Sequence, residues 1–200
     1  MMTFVNMDSP GLVVLPTHRV VFRLDGFDVA VMNTKLAKYF DVEDLGPVAQ
    51  IKPAMDRLRE AGKRGSALLA VTDQGAFLLR SHPAQDSPAL AGQSERQRGL
   101  DVVQLHKLVL EETLGMSEED IRNQKHLKYV REAKEAVAEV GKGANVAFLM
   151  NPVRMEQVRD IAFGGEVLPQ KSTDFFPKLL SGLTIYSLED DAEATVSGGH

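Results

Sequence analysis

Residues 146–152, Val-Ala-Phe-Leu-Met-Asn-Pro, decide the fold of this chain. Five consecutive apolar residues are typical of a strand that is covered on both faces of its sheet. The asparagine and proline that follow are suited to cap and begin a helix. The stretch therefore predicts a buried strand that leads into a helix burying Met155, Val158 and Ile161.

The neighbouring segments extend this pattern in both directions. Leu127 to Val130 predicts a short strand, and a helix with Ala133, Ala136 and Val140 on one side follows it. Strand, helix, strand and helix in this order indicate a parallel β-α-β unit with a right-handed crossover. In the first half, residues 66–71 and 76–80 predict paired strands around Asp73-Gln74-Gly75. The predicted fold class is α/β or α+β, a mixed sheet with covering helices that includes one β-α-β unit in the C-terminal half.

The other elements are predicted from caps and apolar runs. Asp28, Asp101 and Ser117 are placed to cap helices, and Gly46-Pro47 is placed to begin one that buries Leu58. Further strands are expected at residues 4–7, 12–15, 20–22 and 183–188.

We expect a single domain over residues 1–189 with a flexible loop at 81–99, because that stretch is rich in Pro, Gln, Ser and Arg. Residues 190–200 are small and acidic, which predicts a disordered tail. A core strand at residue 1 is unusual, so we expect a segment to be missing upstream. If the chain is a true fragment, its uncovered N-terminal strand predicts self-association.

Composition excludes several function classes. The chain of 200 residues has no Cys, which excludes disulfides, thiolate catalysis and Cys-ligated metal sites. Its formal net charge of -5 does not indicate binding to nucleic acid. No apolar run is long enough for a membrane span. Without a signal peptide, the expected compartment is the cytoplasm. Its five histidines show no ligand spacing, so no metal site is predicted.

Several motifs resemble those of one bacterial and archaeal family. They are Pro16-Thr17-His18-Arg19, Asp101 with Leu105-His106, the 147–152 segment, Gln157-Val158, Gly165-Glu166, Pro169-Gln170-Lys171-Ser172-Thr173 and residues 176–183. Together they resemble the C-terminal half of domain-of-unknown-function family 1015. The upstream half of family members resembles a ParB/sulfiredoxin-like nucleotide-binding fold and ends in an Asp-Gly-His-His-Arg motif, which this chain lacks. A misassigned start or a truncated product would explain that difference.

The loop at 164–183 is the first candidate site. Its glycines, prolines, lysines and hydroxyls interrupt an apolar run, which favours an ordered loop over a helix or an alternating strand. A phosphate could be held by a mobile ammonium, hydroxyl donors and free backbone N–H groups. The candidate ligands are Gln170, Lys171, Ser172, Thr173 and Lys178. The alternative is that the hydroxyls satisfy local backbone groups and both lysines are solvated.

Four more residues are candidates, each with a structural alternative. Arg19 is suited to pair with a phosphate or carboxylate, and His18 adjoins it. The structural alternative is that, in a strand, one of these two side chains packs in the core and the other is exposed. His106 lies on an apolar helix stripe, where a neutral packed histidine is common. Asn151 adjoins a predicted helix N-terminus that favours anions, although it also makes a good helix start.

The leading hypothesis is the C-terminal portion of a nucleotide- or phosphate-dependent enzyme, inert alone because the main catalytic residues lie upstream. Its partner would be a phosphate-bearing small molecule, and its cofactor a nucleotide with Mg²⁺ for which no carboxylate ligand can be singled out. The alternative is a non-catalytic module that binds a small anion or a protein. A third alternative makes the 164–183 loop a packing element.

Overall fold

The computed structural model describes residues 6–47, 50–82 and 87–178. Eight strands run through these residues: β1 Val13–Leu15, β2 His18–Val21, β3 Phe40–Gly46, β4 Ala67–Thr72, β5 Gly75–Ser81, β6 Leu127–Val130, β7 Val146–Met150 and β8 Asp174–Phe176. The helices are α1 Val29–Leu36, α2 Ile51–Gly62, α3 Glu95–Arg98, α4 Asp101–Gln104, α5 Glu118–Arg122, α6 Ala133–Gly141 and α7 Met155–Phe163. A 3₁₀ turn, Pro88–Leu90, precedes α3, and a π-helical segment, Leu105–Thr113, continues α4.

Six of the strands form one sheet in the order β3-β5-β4-β7-β2-β6, and every neighbouring pair is antiparallel. The predicted β-α-β unit is β6-α6-β7. Both of its strands are antiparallel to β2, which lies between them, so they run parallel to each other without touching. The mixed α/β fold class is confirmed. The two parallel strands, β6 and β7, are separated by β2.

Helices cover both faces of the sheet, which explains why its central strands are continuously apolar. Successive residues of β4 alternate between two cores: Leu68 and Ala70 belong to one, Leu69 and Val71 to the other. Helices α2 and α6 cover the second core, while α1, α4 with its π-helical segment, α5 and α7 cover the first. All five residues of β7 are buried, as the sequence predicts.

Most caps are confirmed. The Asp28 carboxylate accepts from the Val31 N–H at 2.8 Å at the start of α1. The Ser117 hydroxyl accepts from the Asp120 N–H at 3.0 Å at the start of α5. The 66–71 and 76–80 strands pair as predicted, in β4 and β5.

Two predicted helix starts are wrong. Residues 40–46 form the edge strand β3, and α2 begins only at Ile51, beyond Gly46-Pro47. Helix α7 begins at Met155 with Arg154 as its cap, so Asn151-Pro152 lies in a loop before it. In both places the chain leaves a strand of the sheet, and the connecting residues must turn before a helix can begin.

The stretch predicted as a loop at 81–99 contains regular structure where it is described. The Ser94 side chain forms a capping box with Gln97 at the start of α3. Leu90 is fully buried in the first core, which holds the 3₁₀ turn against the π-helical segment.

The stretch at 164–178 also contains a strand, contrary to the prediction of a loop throughout. Here β8 pairs antiparallel with β1 in a separate two-stranded ribbon. The predicted strands at 4–7 and 183–188 and the predicted tail at 190–200 lie wholly or mostly outside the described residues. No helix within the described ranges is long and apolar enough to cross a membrane.

Candidate functional site

Arg19 lies in the middle of the sheet, where its position is fixed by strand pairing. In the register of β2 it faces Tyr129 of β6 and Phe148 of β7. Its side chain is only 1% exposed, although the sequence alone left open whether it packs or faces solvent. The guanidinium lies 5.1 Å from the centre of the Tyr129 ring, within range of a cation–π contact.

The guanidinium of Arg19 has only neutral partners among the described residues. Nη1 donates to the Thr17 carbonyl and to the Met150 sulfur, the latter at 3.2 Å, and Nη2 donates to the Lys171 carbonyl at 3.3 Å. Nε is buried without a partner, and no carboxylate of the described chain lies within ion-pair distance. Burial lowers the pKa of Arg19 to about 10, so the group remains charged at neutral pH.

His106 stands where α4 changes to the π-helical segment. Such segments are rare and are found most often at functional sites. Burial, with smaller contributions from Arg19 and Lys107, lowers the pKa of His106 to about 3, so its imidazole is neutral. Its Nε2 is buried and has no hydrogen-bond partner among the described residues. A buried nitrogen without a partner is costly, which marks this position for a ligand or a water.

A cleft opens beside His106, and Tyr129, whose ring packs on the Arg19 guanidinium, lines the same cleft. One part, of about 330 Å³, is lined by His106, Tyr129 and Gln170 together with Glu118, Ile121, Arg122 and Pro169. An adjoining space of about 390 Å³ shares His106, Glu118, Ile121 and Pro169 with it. We call this the His106 cleft. Its size falls in the range of small-molecule sites.

His18 is buried next to Arg19 and has a structural partner. Its Nδ1 accepts from the Met150 N–H at 3.2 Å, which requires that nitrogen to be unprotonated. Burial and the Arg19 charge lower the pKa of His18 to about 4. The side chain thereby joins β2 to the end of β7.

The 164–178 loop contributes differently from the prediction. Gln170 lines the His106 cleft, but Lys171 contributes its carbonyl to Arg19 while its side chain is exposed. The Ser172 hydroxyl donates to the Pro169 carbonyl, a local bond of the kind the structural alternative described. Lys171 has a positive φ of 61°, which turns the chain at this point.

Lys178 follows β8 and pairs with the carboxylate of Asp174, the first residue of that strand, and Thr173 directly precedes Asp174. The Lys178 ammonium lies 2.6 Å from Asp174 Oδ1, and Arg131 Nε lies 2.7 Å from Asp174 Oδ2. Hydrogen bonding by Lys178 is the largest influence that lowers the pKa of Asp174. Thr173 is half-buried directly before this strand. The structure therefore brings Arg19, His106 and Gln170 together and leaves Lys178 in a separate ion pair.

Asn151 belongs to another cleft, of about 710 Å³. Its amide donates to the Leu58 carbonyl at 3.2 Å and lies against Gly62, where a Cβ atom would come within 2.3 Å of the amide nitrogen. Asp101 lies in the same cleft, and its carboxylate accepts from the Ala67 N–H at 3.3 Å. Burial raises the pKa of Asp101 to about 6, partly opposed by hydrogen bonding from neighbouring groups.

Sequence reasoning missed Tyr129 and the role of Asp101 in this second cleft. Tyr129 faces Arg19 only because of the β2-β6 register, which is not visible in either strand alone. Asp101 was predicted as a helix cap, but it is the first residue of α4 and its carboxylate reaches across to β4. The described residues include no group of three or more His, Asp or Glu side chains that could hold a metal ion.

Comparison with known proteins identifies the family. The model of a family described as proteins of unknown function, DUF1015, matches residues 1–103. The chain belongs to the DUF1015 family. The matched residues include Arg19 and Asp101, whereas His106 and the Pro169–Thr173 motif lie beyond them. No curated protein matches this DUF1015 chain in sequence.

Solved structures share part of its chain path. A mutant free serine kinase in complex with ADP is 13% identical, with a TM-score of 0.48, over 86% of this chain and 57% of that one. A conserved hypothetical protein from Pyrococcus furiosus is 16% identical, with a TM-score of 0.46, over 86% and 59%. A free serine kinase in complex with AMP is 17% identical, with a TM-score of 0.45, over 86% and 56%. The DUF1015 chain thus spans less than two thirds of each of these structures.

Proposed function

We propose that this chain is the anion-binding portion of a nucleotide- or phosphate-dependent enzyme, and that a phosphate-bearing small molecule binds in the His106 cleft. The observation that carries the proposal is the buried cation of Arg19, which has no carboxylate partner among the described residues, beside the unpartnered Nε2 of His106. An anion in the cleft would accept from His106 and would be attracted by the nearby charge of Arg19, which does not itself line the cleft.

The energetics favour an anionic occupant. A buried charge costs several kcal/mol unless an opposite charge or several hydrogen bonds offset it. Arg19 has three neutral acceptors and one aromatic face, which offset that cost only in part. Its positive charge acts strongly on any anion nearby because the surroundings have a low dielectric constant.

Each group that lines the cleft has a role in binding. Neutral His106 can donate from Nε2 in one tautomer, and Gln170 can donate from its amide. Tyr129 packs against the guanidinium and supplies an aromatic wall of the cleft. A Mg²⁺ bound with the phosphates would use one or two carboxylates, and Glu118 and Glu111 line the cleft. On this proposal, the catalytic groups lie outside this chain, and the chain alone is inert.

The test compares thermal unfolding with and without ADP, ATP and inorganic phosphate, each with and without Mg²⁺. We expect stabilisation of the wild type by at least one of these ligands, since a ligand that binds only the native state raises its stability. Arg19→Met removes the charge and keeps much of the volume, and we expect it to reduce the ligand-induced shift. Lys171→Ala should keep the shift, because only the carbonyl of Lys171 contacts Arg19.

Lys134→Gln is the matched control, since it removes one exposed positive charge on α6 away from the cleft. No shift of the wild type with any ligand would end the proposal. An equal shift in Arg19→Met would also contradict it, because the ligand would then bind elsewhere. Binding without turnover of ATP is the expected result for the isolated chain.

A second candidate function is a protein-interaction module, and the β1-β8 ribbon favours it. Val13 and Phe176 face each other across the ribbon and are 44% and 53% exposed. Apolar pairs on a short ribbon are typical of a surface that contacts another protein. Light scattering of the wild type and of Phe176→Ser tests this function as self-association. A monomer in both would leave the anion-binding function as the better supported of the two.

A further inference from the structure

The second cleft, which holds Asn151, differs from the His106 cleft in its chemistry. Four cationic side chains line it: Arg59, Lys63, Arg64 and Arg154. Only one carboxylate, that of Asp101, lines it with them. We call this space the Asp101 cleft. Four positive charges around one negative charge are unusual for a chain whose formal net charge is -5.

The cations divide into paired and free groups. Arg59 pairs with Asp56 at 2.6 Å and Lys63 with Glu60 at 2.6 Å, both along α2. Arg64 and Arg154 are exposed and form no ion pair with a described residue. Planar guanidinium groups suit the bidentate recognition of phosphate. Both arginines are therefore available to an anion that enters the cleft, and the charge of Arg154 also favours the ionised form of Asp101.

The inner part of the cleft has a different polarity. The Asp101 carboxylate accepts from the Ala67 N–H, and the Asn151 amide and the Ser66 hydroxyl lie beside it. The Ser66 oxygen is buried and forms no well-formed hydrogen bond to a described residue. An ionised carboxylate has about four lone-pair positions and donates nothing, so Asp101, with Ala67, Ser66 and Asn151 beside it, can still accept from a further donor. The inner part thus suits hydroxyl or amino groups of a ligand.

The backbone near the arginines adds to the positive potential of the outer part of the cleft. Helix α7 begins at Met155, directly after Arg154, so its positive end adjoins the two free arginines. Three glycines also line the cleft, and because they have no side chains they leave space in it: Gly62, Gly65 and Gly99. A Cβ atom at Gly62 would force the Asn151 side chain to shift.

We infer that the Asp101 cleft is a second ligand site, which takes a phosphorylated polyol: the phosphate binds Arg64 and Arg154, and the hydroxyls donate to Asp101. The site is separate from the His106 cleft, and no residue lines both. It stands whether or not a nucleotide binds at His106. Its volume of about 710 Å³ is ample for a sugar phosphate.

Two probes separate the parts of this proposal. Fructose 1,6-bisphosphate carries both phosphates and hydroxyls, whereas inorganic pyrophosphate carries phosphates only. Isothermal titration of the full chain at low salt should show binding of both. Arg64→Gln and Arg154→Gln should each weaken both probes by about tenfold, the effect of losing a charge-assisted hydrogen bond. Lys52→Gln, which removes an exposed charge of α2 outside the cleft, should leave both affinities unchanged.

Asp101→Asn provides the opposing comparison. It removes the negative charge but keeps an oxygen that can accept from the Ala67 N–H. We expect it to weaken the sugar phosphate and to strengthen pyrophosphate, because repulsion of the phosphates is relieved. Arg19→Met should leave unchanged the part of the binding of each probe that Arg64→Gln and Arg154→Gln weaken, which separates this site from the His106 cleft.

Three results would overturn the inference. One is the absence of binding of either probe to the wild type at millimolar concentration. Another is an equal effect of Lys52→Gln and Arg64→Gln, which would show that only net charge matters. The third is a parallel response of both probes to Asp101→Asn, which would remove the role assigned to the hydroxyls. Unchanged far-UV circular dichroism of each variant checks that it is folded.

Discussion

Acidification should destabilise this protein through two buried neutral histidines. Burial lowers the pKa of His18 to about 4 and that of His106 to about 3. In the unfolded chain both return to about 6.5. Because the folded-state pKa values are lower, the unfolded chain binds more protons below about pH 6.5. The stability that these groups contribute is complete above that pH and is lost as the pH falls.

The magnitude follows from these values. Between about pH 7.5 and pH 5, each histidine costs about 2 kcal/mol of unfolding free energy, so the two together cost about 4 kcal/mol. Asp101 acts in the opposite direction, because burial raises its pKa to about 6, above its unfolded value. Its protonation restores roughly 1.4 kcal/mol over the same interval. The net expected loss is about 2.6 kcal/mol.

Urea denaturation at half-unit pH intervals measures this loss, and two variants resolve its parts. His106→Gln should reduce the loss to below about 1 kcal/mol, because one histidine and Asp101 then nearly cancel. Asp101→Asn should increase it to about 4 kcal/mol, because the opposing contribution is gone. A wild-type stability that is flat or rises toward pH 5, with the same slope in His106→Gln, would refute the assignment of buried neutral histidines.

Two further substitutions test the packing and the caps. Gly62→Ala should destabilise the protein by roughly 1–3 kcal/mol, because its Cβ would lie 2.3 Å from the Asn151 amide nitrogen. Gly65→Ala should be neutral, because nothing lies within 4 Å of the added Cβ. Urea midpoints compare the two variants, and equal effects would contradict the clash. Ser117→Ala should cost about 1 kcal/mol, because it removes the acceptor of the Asp120 N–H. Thermal unfolding checks this second change, and an unaltered midpoint would show that the α5 cap contributes nothing.

The sequence predicted the elements that have a strong period or a clear cap. The 146–150 strand, the β4-β5 hairpin and the Asp28 cap are present as expected. Strand β3 was not predicted because its residues carry three acids, and Gly46 was assigned to the start of the next helix. Its alternation of Phe40 and Val42 with acidic neighbours was the available indication of an edge strand. Pairing with β5 determines that residues 40–46 form a strand, and the local propensity of these residues alone cannot show this.

The candidate site was predictable only residue by residue. Arg19, His106 and Gln170 were each selected for chemical reasons, and the structure places them together. Their association depends on the β2-β6 register and on a loop that returns to the sheet about 150 residues after Arg19. Such long-range proximity leaves no trace in residue spacing. The predicted lysine cradle does not form around Lys178 because Asp174, four residues before it, pairs with its ammonium.

The two clefts should differ in their response to salt, which separates them without any substitution. Arg64 and Arg154 are exposed, and interactions of exposed charges are screened over about 10 Å at 0.1 M salt. Arg19 is buried, so salt screens its attraction for an anion far less. Raising salt from about 0.02 M to about 0.3 M should therefore weaken pyrophosphate binding at the Asp101 cleft much more than nucleotide binding at the His106 cleft. Equal weakening of both ligands, measured by titration, would mean that the Arg19 charge is not what attracts the anion.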